Sequence, residues 1–546
     1  MMSRNAFALA VACLAIWPAA RAAAEAPTVD QRLAARLDGD RTGACVLAAV
    51  VDHDHVVTAR HCAGTRADGP PAEDAAFEIG SVTKTMTAFL VADLIERGQW
   101  TLDDPIAKHL PAGTPLPRQG ERQILVRDLL THTAGLPALP PGMVVTDPTN
   151  PYAGLTEDAL LAALGKVQLA RPIGSQAEYS NFGMMVMSLA VARSEGGSLE
   201  ATLRERLFKP LGMHAYIGTS DVEHAAVGHL PDGQRTPAWT IAPNLAGVGM
   251  VKASLADMVR YARAGLGDAP ADVALRMKRA EQPVAAGFAM NWMRRDIEGH
   301  DLLMHEGGTG GFSSLVVLEP VTQRAVVLLA DTSMSDLGGL GDMGLALLGV
   351  DVPVQPPRRA VAATPAQRDA LVGDWQMAGL AVRIWVADDG RLMAQAQGQP
   401  VLELRHDSVG DFYPVGLSAL LTPVRGEATK DGKLARFAWH QGGGVVEARR
   451  VGADAPPAPT ATNPAWRDWA GDYAITAQFG LRIFERDGRL MLQGTGQQAI
   501  EAKATGRDRL EIAQVGAVVE FERDAAGYVV AAVLKQGGQV LRGPKQ

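Results

Sequence analysis

Ser81 and Lys84 stand three residues apart in Gly80-Ser81-Val82-Thr83-Lys84. A serine hydroxyl is a poor nucleophile until a nearby base removes its proton. A partly desolvated lysine loses its charge readily and can serve as that base. The spacing pairs them only on one turn of helix, where positions i and i+3 share a face. A helix is predicted over 83–97, apolar at Met86, Phe89, Leu90, Ala92, Leu94 and Ile95. Its N-terminal dipole would favour a developing oxyanion near Ser81.

Two further groups could share that chemistry. Tyr179-Ser180-Asn181 follows the turn at 172–174 and precedes a predicted helix over 182–193. A tyrosine there can relay a proton, and an asparagine can hold a substrate amide. His305-Glu306-Gly307-Gly308 is followed by Thr309-Gly310-Gly311-Phe312. His305 is read as closing a short strand over 301–304, ahead of glycines that let backbone approach a ligand. Asp52-His53-Asp54-His55 has metal-ligand residue types, but it falls on a predicted hairpin tip, where polar residues are expected anyway. No metal and no cofactor are expected.

The elements that would position these residues lie within 25–350. Residues 45–51 and 56–62 read as a hairpin around 52–55, and 312–318 with 324–330 as another turning at 319–322. Helical patterns at 83–97, 156–164 and 182–193 lie between them. Terminal strands around a helical middle predict an α+β domain, an antiparallel sheet flanked by helices. If the first hairpin turns on His53 and Asp54, Asp52 faces His55 and Cys45 faces Cys62. That pair falls at a non-hydrogen-bonded position, with Cα atoms about 4.5 Å apart, within disulfide reach. A disulfide is therefore expected if the chain is exported.

Pro/Ala-rich stretches at 352–365 and 454–464 read as linkers. The domains expected are thus 25–350, 366–451 and 465–546, with linkers over 351–365 and 452–464. The two small pieces are copies of each other. Gly373-Asp374-Trp375 and Asp389-Gly390-Arg391-Leu392-Met393 recur 98 residues later as Gly471-Asp472-Tyr473 and Asp487-Gly488-Arg489-Leu490-Met491. Alternating runs leading into Asp-Gly are hairpin signals, so each copy is predicted to be a small antiparallel β-barrel or sandwich.

The net charge of −8 over 546 residues, with no Lys/Arg run, argues against nucleic-acid binding. The first 24 residues read as an export signal: Arg4, an apolar run over 6–17, then small residues around Ala20 to Ala24. Periplasmic or secreted location is the expectation, with membrane association only through a lipid on Cys13.

In this order, the three motifs resemble those of the serine β-lactamase and penicillin-binding-protein superfamily, S-x-x-K, Y-x-N and K/H-x-G. Phe77-Glu78-Ile79-Gly80 and the 126–136 segment, which includes Leu129-Leu130-Thr131-His132-Thr133-Ala134-Gly135, resemble it too. The resemblance covers most of 25–350 and is to the class C, DD-peptidase, D-aminopeptidase and esterase branch. It implies Ser81 as nucleophile, Lys84 and Tyr179 sharing the acid and base work, and Asn181, His305, Gly307 and Gly308 on the substrate. The N–H groups of Ser81 and Gly308 would form the oxyanion hole. The repeat resembles lipocalin-like domains appended to such hydrolases. One departure matters: typical β-lactamases have lysine where this chain has His305. The reading is a hydrolase of small ester, peptide or cell-wall-derived substrates, with a penicillin-binding sensor or a slowly deacylating β-lactamase as the alternative.

Overall fold

In the computed structural model the described residues are 27–452 and 466–546, less 68, 170, 219–223, 286, 425–432, 443, 476–479, 487, 495–498, 513–516, 525–526 and 537–538. The segment read as an export signal, Cys13 and most of the second linker lie outside them.

The central sheet has strands β1 (Cys45–Asp52), β2 (His55–Cys62), β3 (Met293–Ile297), β4 (His300–Gly308), β5 (Ser313–Glu319) and β6 (Arg324–Ala330). Their order is β2-β1-β6-β5-β4-β3, and every pairing is antiparallel. The N- and C-terminal hairpins therefore meet at β1 and β6, as expected from the sequence. Strand alternation divides the core. Leu47, Ala49, Val51, Val316, Leu318, Val327 and Leu329 face the large helical layer. Val46, Ala48, Leu315, Val317, Val326 and Leu328 face the helices Val29–Leu37 and Gly341–Leu348. A period of two places successive side chains on opposite faces, so both faces are apolar and both are covered.

Two helices carry the site. Thr83–Glu96 buries twelve of its fourteen residues, and Asn181–Ser194 buries eleven of fourteen. Helices this apolar all round belong inside a domain. Ser180 caps the second: its Oγ accepts the Gly183 N–H at 2.9 Å. This leaves the Asn181 side chain free of capping duty.

One strand reading needs correction. His305 does not close a short strand. The strand runs on to Gly308, with His305 opposite Val316 and Gly307 opposite Ser314. Gly307 is there because the strand touches the turn that carries Ser81, as described below.

The first repeat copy is a closed barrel of eight antiparallel strands, with Leu402–Asp407 pairing on to Phe412–Pro414 to complete the ring. Ala360–Val361, inside the stretch read as linker, adds a short strand to it. Among the described residues the second copy is two sheets, of four and five strands, meeting where Tyr473 bridges Lys545. The first barrel docks on the larger domain: Arg41 pairs with Asp407, and its guanidinium lies 3.5 Å from the Tyr413 ring centroid. Among the described residues no helix is long and apolar enough to cross a membrane. No group of three His, Cys, Asp or Glu among them is arranged to hold a metal ion, and His53 at the hairpin tip bonds Asp52 at 2.8 Å.

Cys45 and Cys62 are opposite each other in the β1–β2 ladder and are joined as a disulfide, in the register that the two-residue turn predicts. The bond closes a loop of 17 residues, and restricting such a loop in the unfolded chain is worth about 3 kcal/mol. The double variant Cys45→Ala/Cys62→Ala is expected to lose about that much in urea unfolding. A loss well under ~1 kcal/mol would show that the hairpin is already closed in the unfolded chain.

Candidate active site

The turn that carries Ser81 is built against glycine. Gly80 has φ +49°, and Gly80–Val82 forms a short 3₁₀ turn that feeds the Thr83–Glu96 helix. A Cβ on Gly80 would lie 2.5 Å from the Gly308 nitrogen, and one on Gly307 would lie 2.0 Å from the Ile79 oxygen. Ser314 Oγ donates to that same Ile79 carbonyl at 2.7 Å. Strand β4 and the turn thus meet backbone to backbone, which only glycine permits.

This contact also sets a donor. Thr309 N–H donates to the Phe312 carbonyl at 3.0 Å, which marks that pair as hydrogen-bonded across β4 and β5. Antiparallel pairs alternate, so the next pair, Gly308 and Ser313, is not bonded, and the Gly308 N–H turns away from β5. The neighbouring strand β3 pairs no further along than Met304. Gly308 therefore offers its N–H at the sheet edge, beside Gly80 and Ser81.

Lys84 and Ser81 come together as their spacing implies. Lys84 Nζ is 2.7 Å from Ser81 Oγ and donates to the Val248 carbonyl, also at 2.7 Å. Lys84 is fully buried, and burial holds its ammonium well below the ordinary lysine range. No carboxylate contributes to that balance, so the neutral amine is favoured. Tyr179 also hydrogen-bonds Ser81, and desolvation of its hydroxyl pushes the phenol pKa up. The residue as a whole is 44% exposed; its ring forms an open wall while its oxygen is enclosed. Lys84 Nζ lies 4.9 Å from the Tyr179 ring centroid.

His305 joins them, its ring centroid 6.5 Å from that of Tyr179. Its Nδ1 is 2.7 Å from the Glu306 carbonyl, to which it donates, so in the neutral ring Nε2 keeps a lone pair. Burial, with the Lys84 charge nearby, lowers its pKa to about 3. His305 is thus a neutral acceptor near neutral pH.

Asn181 opens its helix and donates from Nδ2 to the Tyr152 hydroxyl at 3.4 Å. Tyr152 meets Trp239 edge to face, with centroids 5.4 Å apart. Trp239 is held by its own N–H on buried Glu78 at 3.0 Å. Sequence reasoning gave no role to Tyr152, Trp239 or the Val248 carbonyl. It quoted His132 without a role, yet His132 packs on Tyr179 with ring centroids 4.6 Å apart.

A buried lysine and a tyrosine converging on one serine, beside a glycine strand edge, define a site of the serine-hydrolase kind. The beta-lactamase family model matches residues 29–344, more than half of the chain. The chain belongs to the beta-lactamase family of serine hydrolases. It is 28% identical to penicillin-binding protein 4 of Amycolatopsis lactamdurans over 321 residues, 54% of this chain and 81% of that one. It is 32% identical over 143 residues to the D-alanyl-D-alanine-carboxypeptidase/endopeptidase AmpH of Escherichia coli, 26% of this chain and 37% of that one. Esterase EstB of Burkholderia gladioli is 31% identical over 224 residues, 38% of this chain and 56% of that one. The chain thus spans little more than half, or less, of the last two.

Proposed function

We propose that this chain hydrolyses ester or amide bonds through an acyl-Ser81 intermediate, as an esterase or a D-amino-acid peptidase or aminopeptidase. The observation that carries this reading is the 2.7 Å approach of a fully buried Lys84 to Ser81. The neutral amine takes the hydroxyl proton as Oγ attacks the carbonyl carbon. The N–H groups of Ser81 and Gly308 hold the oxyanion. Tyr179, kept protonated by its surroundings, gives its proton to the leaving group and is recharged from Lys84. Water then attacks the acyl carbon, losing its proton to the Tyr179–Lys84 pair while Ser81 recovers its own. Export to an oxidising compartment is part of the proposal, supported by the Cys45–Cys62 pairing.

The substrate's environment favours an uncharged group near Ser81. His305, where a β-lactamase-type lysine would attract a carboxylate, is neutral. Apolar surface is exposed nearby in sequence: Leu139, Val144 and Val145 lie in a segment whose ends bond Phe182, next to Asn181, and Thr240, next to Trp239. Hydrolysis of p-nitrophenyl esters or D-amino-acid amides with little turnover of nitrocefin is the expected result. A charged hydrogen bond is worth about 1.5–3 kcal/mol. His305→Lys should therefore raise the nitrocefin-to-ester ratio of kcat/KM by about tenfold or more. Rapid wild-type nitrocefin turnover, or an unchanged ratio in the variant, would contradict this.

A further inference from the structure

We infer that His132 is a positioning residue for Tyr179, holding the phenol on Ser81 by gripping the chain on both sides of it. The inference rests on the reading of Tyr179 as the proton relay.

Tyr179 lies in a segment that is neither helix nor strand, one residue before the cap of the Asn181–Ser194 helix. Nothing in regular structure fixes its backbone. His132 does so at two points. Its carbonyl accepts the Glu178 N–H at 2.8 Å, and its ring Nδ1 accepts the Ser180 N–H at 3.2 Å. Its ring also covers the Tyr179 ring, at 4.6 Å and 38°. One residue therefore meets the N–H of the residue before Tyr179, the N–H of the residue after it and the side chain between.

The geometry needs particular chemistry at 132. An Nδ1 that accepts from Ser180 carries no proton, so the neutral ring's proton is on Nε2. A protonated imidazole has two donors and would face the Ser180 N–H with another N–H. Burial above all lowers this pKa to about 3, in keeping with the bond. His132 itself sits at φ +58°, a region that few residues other than glycine, asparagine, aspartate and histidine adopt readily. The turn that presents it is fixed elsewhere: Thr133 N–H donates to the Asp128 carbonyl at 2.8 Å, and Gly174 N–H donates to the Thr133 carbonyl at 2.8 Å. Asp128 is in turn paired with Arg122 and accepts the Leu125 N–H. The clamp thus has a hydrogen-bonded base and acts on a segment of only three residues, 178–180.

The test is a double-mutant cycle on a p-nitrophenyl ester. His132→Leu removes the acceptor; His132→Asn keeps an acceptor where Nδ1 was, tolerates the backbone, and removes the ring. Small misplacement of a reacting group costs up to about 10²-fold. His132→Leu is expected to lower kcat by about 10- to 100-fold with KM within ~threefold, and His132→Asn to recover much of that loss. In a Tyr179→Phe background, with no proton left to position, either change should cost less than ~threefold. An equal loss in both backgrounds, or an undiminished kcat, overturns the inference. Where the leucine variant does not fold, His132→Ala, which removes ring and acceptor together, takes its place in the cycle. A Tyr179→Phe variant as fast as wild type would instead overturn the relay itself, and the inference with it.

Discussion

Ser81→Ala is expected to abolish hydrolysis, with kcat/KM falling on the order of 10⁴-fold or more, as when an acyl-transfer nucleophile is removed. Labelling by a fluorophosphonate probe should vanish with it. The fold should survive, for a local reason. Ser81 does not cap its helix: no side-chain hydrogen bond closes the N-terminus of either the Gly80–Val82 turn or the Thr83–Glu96 helix. Its hydroxyl meets Lys84 and Tyr179, groups the proposal assigns to chemistry, and Lys84 keeps the Val248 carbonyl when Ser81 is gone. Thermal unfolding within a few degrees of wild type is therefore expected alongside the lost activity. Normal turnover by the alanine variant would end the assignment of Ser81. Persistent labelling of wild type without turnover would favour the penicillin-binding sensor.

What the sequence revealed of this site divides by kind of interaction. Ser81, Lys84 and Tyr179 were legible because side-chain chemistry is written in residue type, and the three-residue spacing specifies a shared helix face. The β1–β2 register was legible because a two-residue turn fixes every pair beyond it, out to Cys45 and Cys62. Backbone work was not legible. The Val248 carbonyl that receives Lys84 has no signature in its residue type. Gly307 and Gly308 looked like the start of a loop, since glycine is ordinarily unfavourable in a strand; here Gly307 keeps the strand clear of Ile79, and Gly308 leaves room for the Ser335 side chain. His132 was visible only as part of a family-like segment, because it acts through a carbonyl, a ring acceptor and a positive φ. In the C-terminal repeats the 98-residue offset was plain. Which copy closes its hydrogen-bonded ring depends on strand pairs distant in sequence, such as Leu404 with Pro414.

Lys84→Ala and Tyr179→Phe are each expected to lower kcat by at least ~10²-fold, the usual scale for a general acid or base. Their combined effect should fall well short of the product, because both move the same proton. The structure makes the two losses separable from packing. Tyr179→Phe keeps the ring that packs on His132 and leaves Lys84 Nζ its Ser81 contact. Lys84→Ala removes a buried amine that burial already disfavours as a cation, so it uncovers no unpaired charge. The pH profile adds a second reading. The active form of Lys84 is the neutral amine, so wild-type kcat/KM should rise as pH increases through its depressed pKa and then level off. His132 and His305, with pKa values near 3, give no limb around 6.5. In Lys84→Ala that rising limb should be lost, and in Tyr179→Phe it should persist at lower amplitude, since the base remains while the acid is gone. A double variant as slow as the product of the singles, or a limb that survives removal of Lys84, would show that serine and leaving group are served by separate proton paths.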